Sequence, residues 1–220
     1  MKLSLILSQA RGGELKSLSQ KDKTDEVIID YINLALIALY TRFQLKTEEA
    51  IIALQTNPPK TIYTLNSTDS SVTVGGQPMN DDELMSIIAA YNEDGSEITI
   101  NDRNDTMSIF TVGYNQIQVP LIADNAYISI IYRKNPTLIT FVDGGGGAAT
   151  DTNVDIPMQL LEPMLHYIGY RAHGSLDGSL TTENNSHYMR FEASCKKALE
   201  FGSITADDTV SKSVIEKGFV

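Results

Sequence analysis

The sequence contains no tryptophan and a single cysteine, Cys195. One cysteine excludes a disulfide within the chain and any cysteine-rich zinc site, and its position in an apolar helical pattern predicts a buried small side chain rather than a reactive thiol. Long apolar runs are also lacking. The stretch from Leu3 to Leu7 is shorter than the roughly 7 to 15 apolar residues of a signal peptide, and no other segment approaches the length of a membrane span. We therefore expect neither secretion nor a transmembrane helix.

Basic residues are few relative to acidic ones, with 17 Lys and Arg against 28 Asp and Glu and a formal net charge of −11. Their longest runs are the pairs Arg133-Lys134 and Lys196-Lys197. A free nucleic-acid-binding protein normally has a basic patch or stripe, because phosphate contacts supply most of the affinity. The charge therefore disfavours ordinary nucleic-acid binding, but it allows an acidic wall that DNA slides past.

Helical periodicity marks the first fifth of the chain. From Lys23 to Phe43 apolar residues recur at the spacing of one helix face, and further apolar residues lie on its other faces. A helix that is apolar nearly all round is usually buried or packed against a partner on its second face. A shorter helix is predicted near Leu3 to Ala10, with Gly12-Gly13 as its end.

The period then changes to that of strands. Two β-rich runs around Asn57-Pro58-Pro59 predict a hairpin, the polar residues 66–83 predict a loop, and "LMSIIAAYNEDGSEITI" predicts a second hairpin that turns at Asp94-Gly95. Three further strands are predicted at 107–112, 115–122 and 126–133. Together these describe an antiparallel sheet or small sandwich from about Glu48 to Val142.

Helical periodicity returns after four consecutive glycines, 144–147. One stripe contains Leu161, Met164, Leu165, Ile168 and Ala172, and Pro157 is well placed for a first turn. Pro163 lies too deep for that role, so it either kinks this helix or marks its true start. A last helix is predicted from about Thr182 to Phe201, and it ends at Gly202.

The resulting fold class is α+β: a helical bundle formed by the N- and C-terminal segments, with an inserted antiparallel β domain. We assign residues 1–47 and 154–202 to the bundle, 48–142 to the β domain, 143–153 to a glycine-rich connector and 203–220 to a mobile C-terminal tail. At 220 residues with 42% apolar residues, the chain can bury a substantial core.

The glycines Gly144, Gly145, Gly146 and Gly147 raise the question of a phosphate-binding loop. A P-loop needs a lysine and a hydroxyl directly after its second glycine, but no lysine follows before Lys196, and nearby aspartates would repel an anion. The dinucleotide fingerprint needs a βαβ unit, which an antiparallel region does not provide. We interpret the glycines as a flexible connector and a candidate hinge.

No constellation of catalytic or metal-binding residues is visible. His166 and His173 are two turns apart on one helix, too far to share a metal directly, and no H-E-x-x-H frame includes His187. The segment Asn92 to Asp105 departs from a calcium loop because Asn101 stands where the ligand glutamate belongs. We expect no catalytic residue, metal or cofactor, and no enzyme activity.

Three stretches carry a resemblance to a known family: "TDEVIIDYINLALIALYTRF", "IAAYNEDGSEITIND…YISIIYRKNPTLI" and "VDIPMQLLEPMLHYIGYRAHGS…ENNSHYMRFEASCKKAL". The residues that carry the resemblance are Ile32-Asn33, the run Tyr132 to Pro136, Ile156-Pro157, and Tyr188 with Phe191. From about Glu14 to Phe201 the chain resembles the head-to-tail adaptor (connector) proteins of tailed bacteriophages.

The resemblance implies a virion structural protein of the neck, present in the host cytoplasm during assembly. Its subunits would form a ring, commonly a dodecamer, that joins the portal protein to a tail or nozzle protein while DNA passes through the lumen without specific binding. A tail that orders on assembly would dock on a partner through Val210, Val214, Ile215, Phe219 and Val220. The alternative function is a receptor- or glycan-binding module that uses the β domain.

Overall fold

The structure is a computed structural model that describes residues 1–56, 58–120, 126–146, 148–177 and 186–200. Four α-helices are described: α1, Leu3–Gly12; α2, Asp25–Arg42; α3, Leu161–Asp177; and α4, Ser186–Glu200. Short 3₁₀ turns lie at Lys21–Lys23 and Met158–Leu160. None of the described helices is long and apolar enough to span a membrane.

The predicted first and second helices are confirmed. The α2 helix begins after Thr24, whose hydroxyl accepts from the backbone N–H of Val27 at 3.5 Å, and Asp25 and Glu26 place acidic groups in its first turn. Both arrangements satisfy the unpaired N–H groups and the positive dipole end of a helix start.

Pro163 lies in the first turn of α3, which begins at Leu161. Of the two predicted roles, it therefore marks the start of the helix rather than a kink in its middle. Proline is tolerated there because the N–H groups of a first helical turn have no partner within the helix.

The α3 helix contacts each of the other three described helices. Its inward side carries Met164, Ile168 and Ala172, three residues of the predicted stripe, all buried. The described part of the predicted last helix is confirmed as α4, in which Phe191, Cys195 and Ala198 are buried. Burial of these apolar faces holds the helices together.

In the described residues nine strands form two antiparallel sheets, which confirms the predicted α+β class. They are β1, Thr47–Ala53; β2, Ile62–Thr64; β3, Val72–Val74; β4, Gln77–Pro78; β5, Leu84–Tyr91; β6, Glu97–Ile98; β7, Phe110–Gly113; β8, Gln116–Gln118; and β9, Tyr127–Lys134. The orders are β4-β3-β1-β9-β5-β6 and β2-β8-β7. Residues of both sheets, among them Ile52, Ile130, Tyr63 and Ile117, share one buried apolar cluster.

The predicted hairpin around Asn57-Pro58-Pro59 is wrong. The strand before it, β1, pairs with β3 and β9, and the strand after it, β2, pairs with β8 in the other sheet. Strand partners are chosen by packing across the whole unit, so two neighbouring runs need not pair with each other.

The predicted loop at 66–83 is also wrong, because it contains β3 and β4 as a short hairpin. Its turn, Gly75-Gly76, has φ values of +57° and +80°. Positive φ at both central residues is what a type I′ hairpin turn requires. By contrast, the hairpin predicted at Asp94-Gly95 is confirmed by the pairing of β5 with β6.

The described chain divides into two compact units. Residues 1–45 group with those from 136 onward, here called the helical unit, and residues 46–135 form the β unit. The stretch Pro136 to Val142, assigned to the β domain in the sequence analysis, lies in the helical unit. One reason is Asn33 of α2, whose side-chain amide donates to the Ile139 carbonyl at 2.9 Å and accepts from its N–H at 2.8 Å.

Candidate functional site

The glycine segment forms a tight turn. The N–H of Gly144 donates to the Ala148 carbonyl at 2.7 Å, and the N–H of Gly145 donates to the Asp143 carboxylate at 2.8 Å. Gly145 and Gly146 have φ values of +117° and +69°, which favour glycine. Two of the N–H groups that a bound phosphate would need are thus already used inside the turn.

This turn is tied to the starts of α1 and α2. The N–H of Ala149 donates to the carboxylate of Asp25 at 2.6 Å, and buried Asp25 also pairs with Arg11. Nearby, the N–H of Leu3 donates to the Thr152 carbonyl at 2.9 Å. The segment after the glycines is therefore fastened to the helical unit at several points.

The hinge role assigned to Gly144, Gly145, Gly146 and Gly147 stays a prediction. The division between the two units lies between Asn135 and Pro136, and the described glycines belong to the helical unit. Gly147 lies outside the described residues.

The predicted docking tail lies wholly outside the described residues. This applies to each of its apolar residues: Val210, Val214, Ile215, Phe219 and Val220. Its role also stays a prediction.

An apolar surface is exposed on the outer side of α2. Leu34 and Ile37 are 37% and 44% exposed, which is high for large aliphatic side chains. The sequence pattern predicts that this helix is apolar on more than its core face. An exposed apolar stripe of this kind is a candidate for contact with another protein.

A groove of about 430 Å³ adjoins this stripe between α2, α3 and α4. We call it the aromatic groove, lined by Ala38 and Thr41 of α2, Tyr167 and Tyr170 of α3, and Tyr188 and Phe191 of α4. The ring centroids of Tyr167 and Phe191 lie 5.0 Å apart and those of Tyr170 and Tyr188 lie 5.1 Å apart, within the usual range for aromatic pairs. Aromatic walls of this kind are typical of surfaces that anchor a partner side chain.

The rim of the aromatic groove is polar. Arg42 pairs with Glu192 at 2.7 Å, and its guanidinium carbon lies 5.8 Å from the centre of the Phe191 ring. Burial raises the pKa of Tyr167, and burial together with a hydrogen bond to Glu192 raises the pKa of Tyr188. Both phenols are therefore neutral at physiological pH, and the groove presents an uncharged wall inside a charged rim, the usual pattern of a protein interface.

The three histidines meet at one residue, Glu14, between α1 and α2. Nδ1 of His166 and of His187 lie 3.1 Å and 2.7 Å from its two carboxylate oxygens, and Nε2 of His173 lies 3.0 Å from its backbone carbonyl. The cluster cannot be predicted from the sequence, because Glu14 is separated from His166 by 152 positions and no local pattern joins them.

The described residues contain no group of three or more His, Cys, Asp or Glu side chains arranged to hold a metal ion. Burial raises the pKa of the Cys195 thiol to about 12, so the thiol is protonated and is a poor nucleophile.

The segment Asn92 to Asp105, which was compared with a calcium loop, uses its last carboxylate within the chain. Asp105 accepts from the Thr99 hydroxyl at 2.6 Å and from the N–H of Met107 at 2.9 Å. That carboxylate thus stabilises a turn.

Exposed tyrosines of the β unit are dispersed. Tyr63 and Tyr132 are buried in its core, whereas the exposed Tyr114 lies in the turn between β7 and β8 and the exposed Tyr127 begins β9, a strand of the other sheet. A glycan or receptor site would be favoured by clustered exposed aromatic rings, and the described part of the β unit does not supply such a cluster.

Most of the chain matches a known protein family. The family model described as SU10 adaptor protein matches residues 5–213, which include all of the described helices except the start of α1 and all of the β unit. No curated protein matches the chain.

Proposed function

Because this chain belongs to the SU10 adaptor protein family, a family of phage structural adaptors, we propose that it forms a ring that joins the capsid portal to the tail. In this proposal it is a non-enzymatic component of the virion neck. The observation that carries the proposal is the family match over residues 5–213, since it covers nearly the whole chain rather than one domain.

The apolar surface of α2 and the aromatic groove beside it support the ring. A closed ring of identical subunits uses two different surfaces, so that each subunit presents one to the neighbour before it and another to the neighbour after it. Leu34, Ile37 and the groove would form one of these two surfaces. Burial of two exposed aliphatic side chains and filling of an aromatic pocket are the kind of contacts that dominate interface energies.

The net charge of −11 supports passage of DNA through the lumen. Repeated around a ring, an acidic chain produces a field that repels the phosphate backbone. DNA would then move through without binding. The apolar residues Val210, Val214, Ile215, Phe219 and Val220 would dock on the portal or a neighbouring subunit and order there.

The test is to mix the purified protein with portal rings and to measure the mass of the product by light scattering and its symmetry by electron microscopy. We expect a ring-sized complex of adaptor on portal. Absence of any complex larger than the separate components would contradict the proposal.

A matched pair of variants tests the surface. Ile37→Glu places a charge on the exposed stripe of α2, whereas Gln9→Glu makes the same change of charge at an exposed position of α1. We expect Ile37→Glu to abolish the ring and Gln9→Glu to leave it intact. If both variants assemble like the unaltered chain, the α2 surface is not a subunit interface.

A further inference from the structure

The cluster around Glu14 joins three parts of the helical unit. Glu14 lies in the connection between α1 and α2, His166 and His173 lie on α3, and His187 lies on α4. The side chains of Glu14, His166 and His187 are only 18%, 16% and 19% exposed. The cluster is therefore a partly buried polar junction through which α4 is fastened to the rest of the unit.

The proton positions follow from the acceptors. A carbonyl oxygen and a carboxylate oxygen accept hydrogen bonds, so Nε2 of His173 and Nδ1 of His166 carry the hydrogens. Nδ1 of His187 lies 2.7 Å from the other carboxylate oxygen of Glu14. A proton added to His187 brings a positive charge into this partly buried junction.

Two of the rings lie face to face. The centroids of His173 and His187 are 4.7 Å apart, and their planes are inclined by 4°. Neutral imidazoles stack well at this distance, whereas a positive charge on His187 is opposed by the His173 ring. Protonation of His187 would therefore push α4 away from α3.

The helix surface beside the cluster is shaped for this contact. A methyl group added to Gly169 of α3 would lie 2.8 Å from Nδ1 of His187 and 3.2 Å from Cβ of Glu14. Only a residue without a side chain lets α4 approach α3 closely enough at this point.

The charges that face His187 come from each of the elements around it. Glu14 from the α1–α2 connection favours its protonated form, while His173 of α3 and Arg190 of α4 oppose it. Among the residues that the structure describes, Glu162 of α3 also lies beside the cluster, with a carboxylate oxygen 3.9 Å from Nε2 of His166. This contact is to His166 and not to the stacked pair.

Burial lowers the pKa of His187 below its ordinary value of 6.5, and this effect outweighs the attraction of Glu14. A group whose pKa is lower in the folded state binds fewer protons there than in the unfolded state. The contribution of His187 to the docked position of α4 is therefore fully present above pH 6.5 and is lost as the pH falls below it.

We propose that Glu14, His173 and His187 form a proton-sensitive latch that holds α4 against α3 at neutral pH and releases it in acid. Release moves the helix that supplies Tyr188 and Phe191 to the aromatic groove. The latch lies within the helical unit, so it operates whether or not the protein forms a ring.

Hydrogen–deuterium exchange of the full chain tests the latch. Amides of α4 are compared at about pH 7.5 and about pH 5.5 after correction for intrinsic exchange, with amides of α2 and of the β unit as internal references. We expect the opening of α4 to increase in acid while the reference amides stay protected. The increase should be about tenfold for each unit of pH between the ordinary pKa of His187 and its lower pKa in the folded state. If the change of pH alters the corrected exchange rates of α4 and of the reference amides by the same factor, the proposal is wrong.

Two substitutions separate the latch from general acid sensitivity. His187→Asn keeps a polar side chain beside Glu14 but cannot titrate, so its α4 should exchange at the same corrected rate at both pH values. His166→Asn leaves the stacked pair intact and should keep the pH response. If His187→Asn responds to acid as the unaltered chain does, the latch is excluded.

A further pair of variants tests the geometry. Gly169→Ala should open α4 at neutral pH, whereas Gly12→Ala, whose added methyl group meets nothing within 4 Å, should not. If the histidine variants do not fold, an NMR titration of the unaltered chain decides. A pKa of His187 below 6.5 supports the latch, and a pKa at or above 6.5 overturns it.

Discussion

Asn33 shows how one side chain directs the path of the backbone. Its amide pairs with both backbone groups of Ile139, as a neighbouring strand would, and so holds the extended segment that follows the β unit against α2. The contact spans 106 positions of the chain. It is one reason why Pro136 to Val142 lie with the helices, although their composition is that of a strand.

We predict that Asn33→Asp destabilises the protein by about 1 to 3 kcal/mol, because the donor to Ile139 is lost and a carboxylate then faces its carbonyl. The measurement is the free energy of unfolding in urea. Asp30→Ala, at an exposed position one turn earlier on α2, is the matched control and should change stability by less than about 0.5 kcal/mol. Equal effects of the two substitutions would show that the amide does not hold the segment.

At the residue scale, sequence reasoning located residues whose role depends on local conformation. It placed Cys195 in the core and Pro163 at a possible helix start, and both agree with the structure. It did not find Glu14 or the pairing of Asn33 with Ile139. Each of these contacts depends on which residues of distant segments meet, and nothing in the neighbouring sequence records that.

At the scale of the elements, the backbone conformation of the glycine turn contributes to the stability of the helical unit. We predict that Gly146→Ala destabilises the helical unit by about 1 to 2 kcal/mol, since its φ of +69° is costly for alanine. Gly144→Ala is the matched control, because its φ is ordinary and its added methyl group would meet only contacts of 3.4 Å or more. Thermal unfolding of the two variants measures the difference.

A variant in which all four glycines are replaced tests the hinge. If the glycines act as a hinge in assembly, replacement of all four by alanine should impair ring formation more than the loss of stability explains. Ring formation equal to that of a variant with the same loss of stability elsewhere, such as Asn33→Asp, would exclude the hinge.

Elements with strong local patterns were predictable. Both N-terminal helices, the hairpin at Asp94-Gly95 and the strands that end the β unit agree with the structure. The errors lie in the strand pairing of β1 and β2 and in the glycine hairpin between β3 and β4. A helix closes its hydrogen bonds within one segment, whereas a strand finds its partners across the chain, so the sequence constrains the two to different extents.

At the scale of the whole molecule, the division into two compact units indicates that the β unit can fold without the helical unit. The β unit has its own apolar cluster, and its chain ends lie side by side, because the N–H of Lys134 donates to the Lys46 carbonyl at 3.0 Å. We predict that residues 46–135 expressed alone unfold in a single cooperative transition, which circular dichroism on heating would detect. A gradual change of signal without a transition would show that the β unit depends on the helical unit.

The sequence by itself determined the helices, the α+β class, the acidic charge and the family resemblance, because each of these arises from local periodicity, composition or aligned motifs. Only the tertiary structure decided which segments meet: the histidines at Glu14, the aromatic groove among three helices and the fastening of the glycine turn to Asp25. Each of these features includes packing between segments separated by a hundred positions or more. Contacts of that range are set by the burial of whole faces, which no short stretch of sequence encodes.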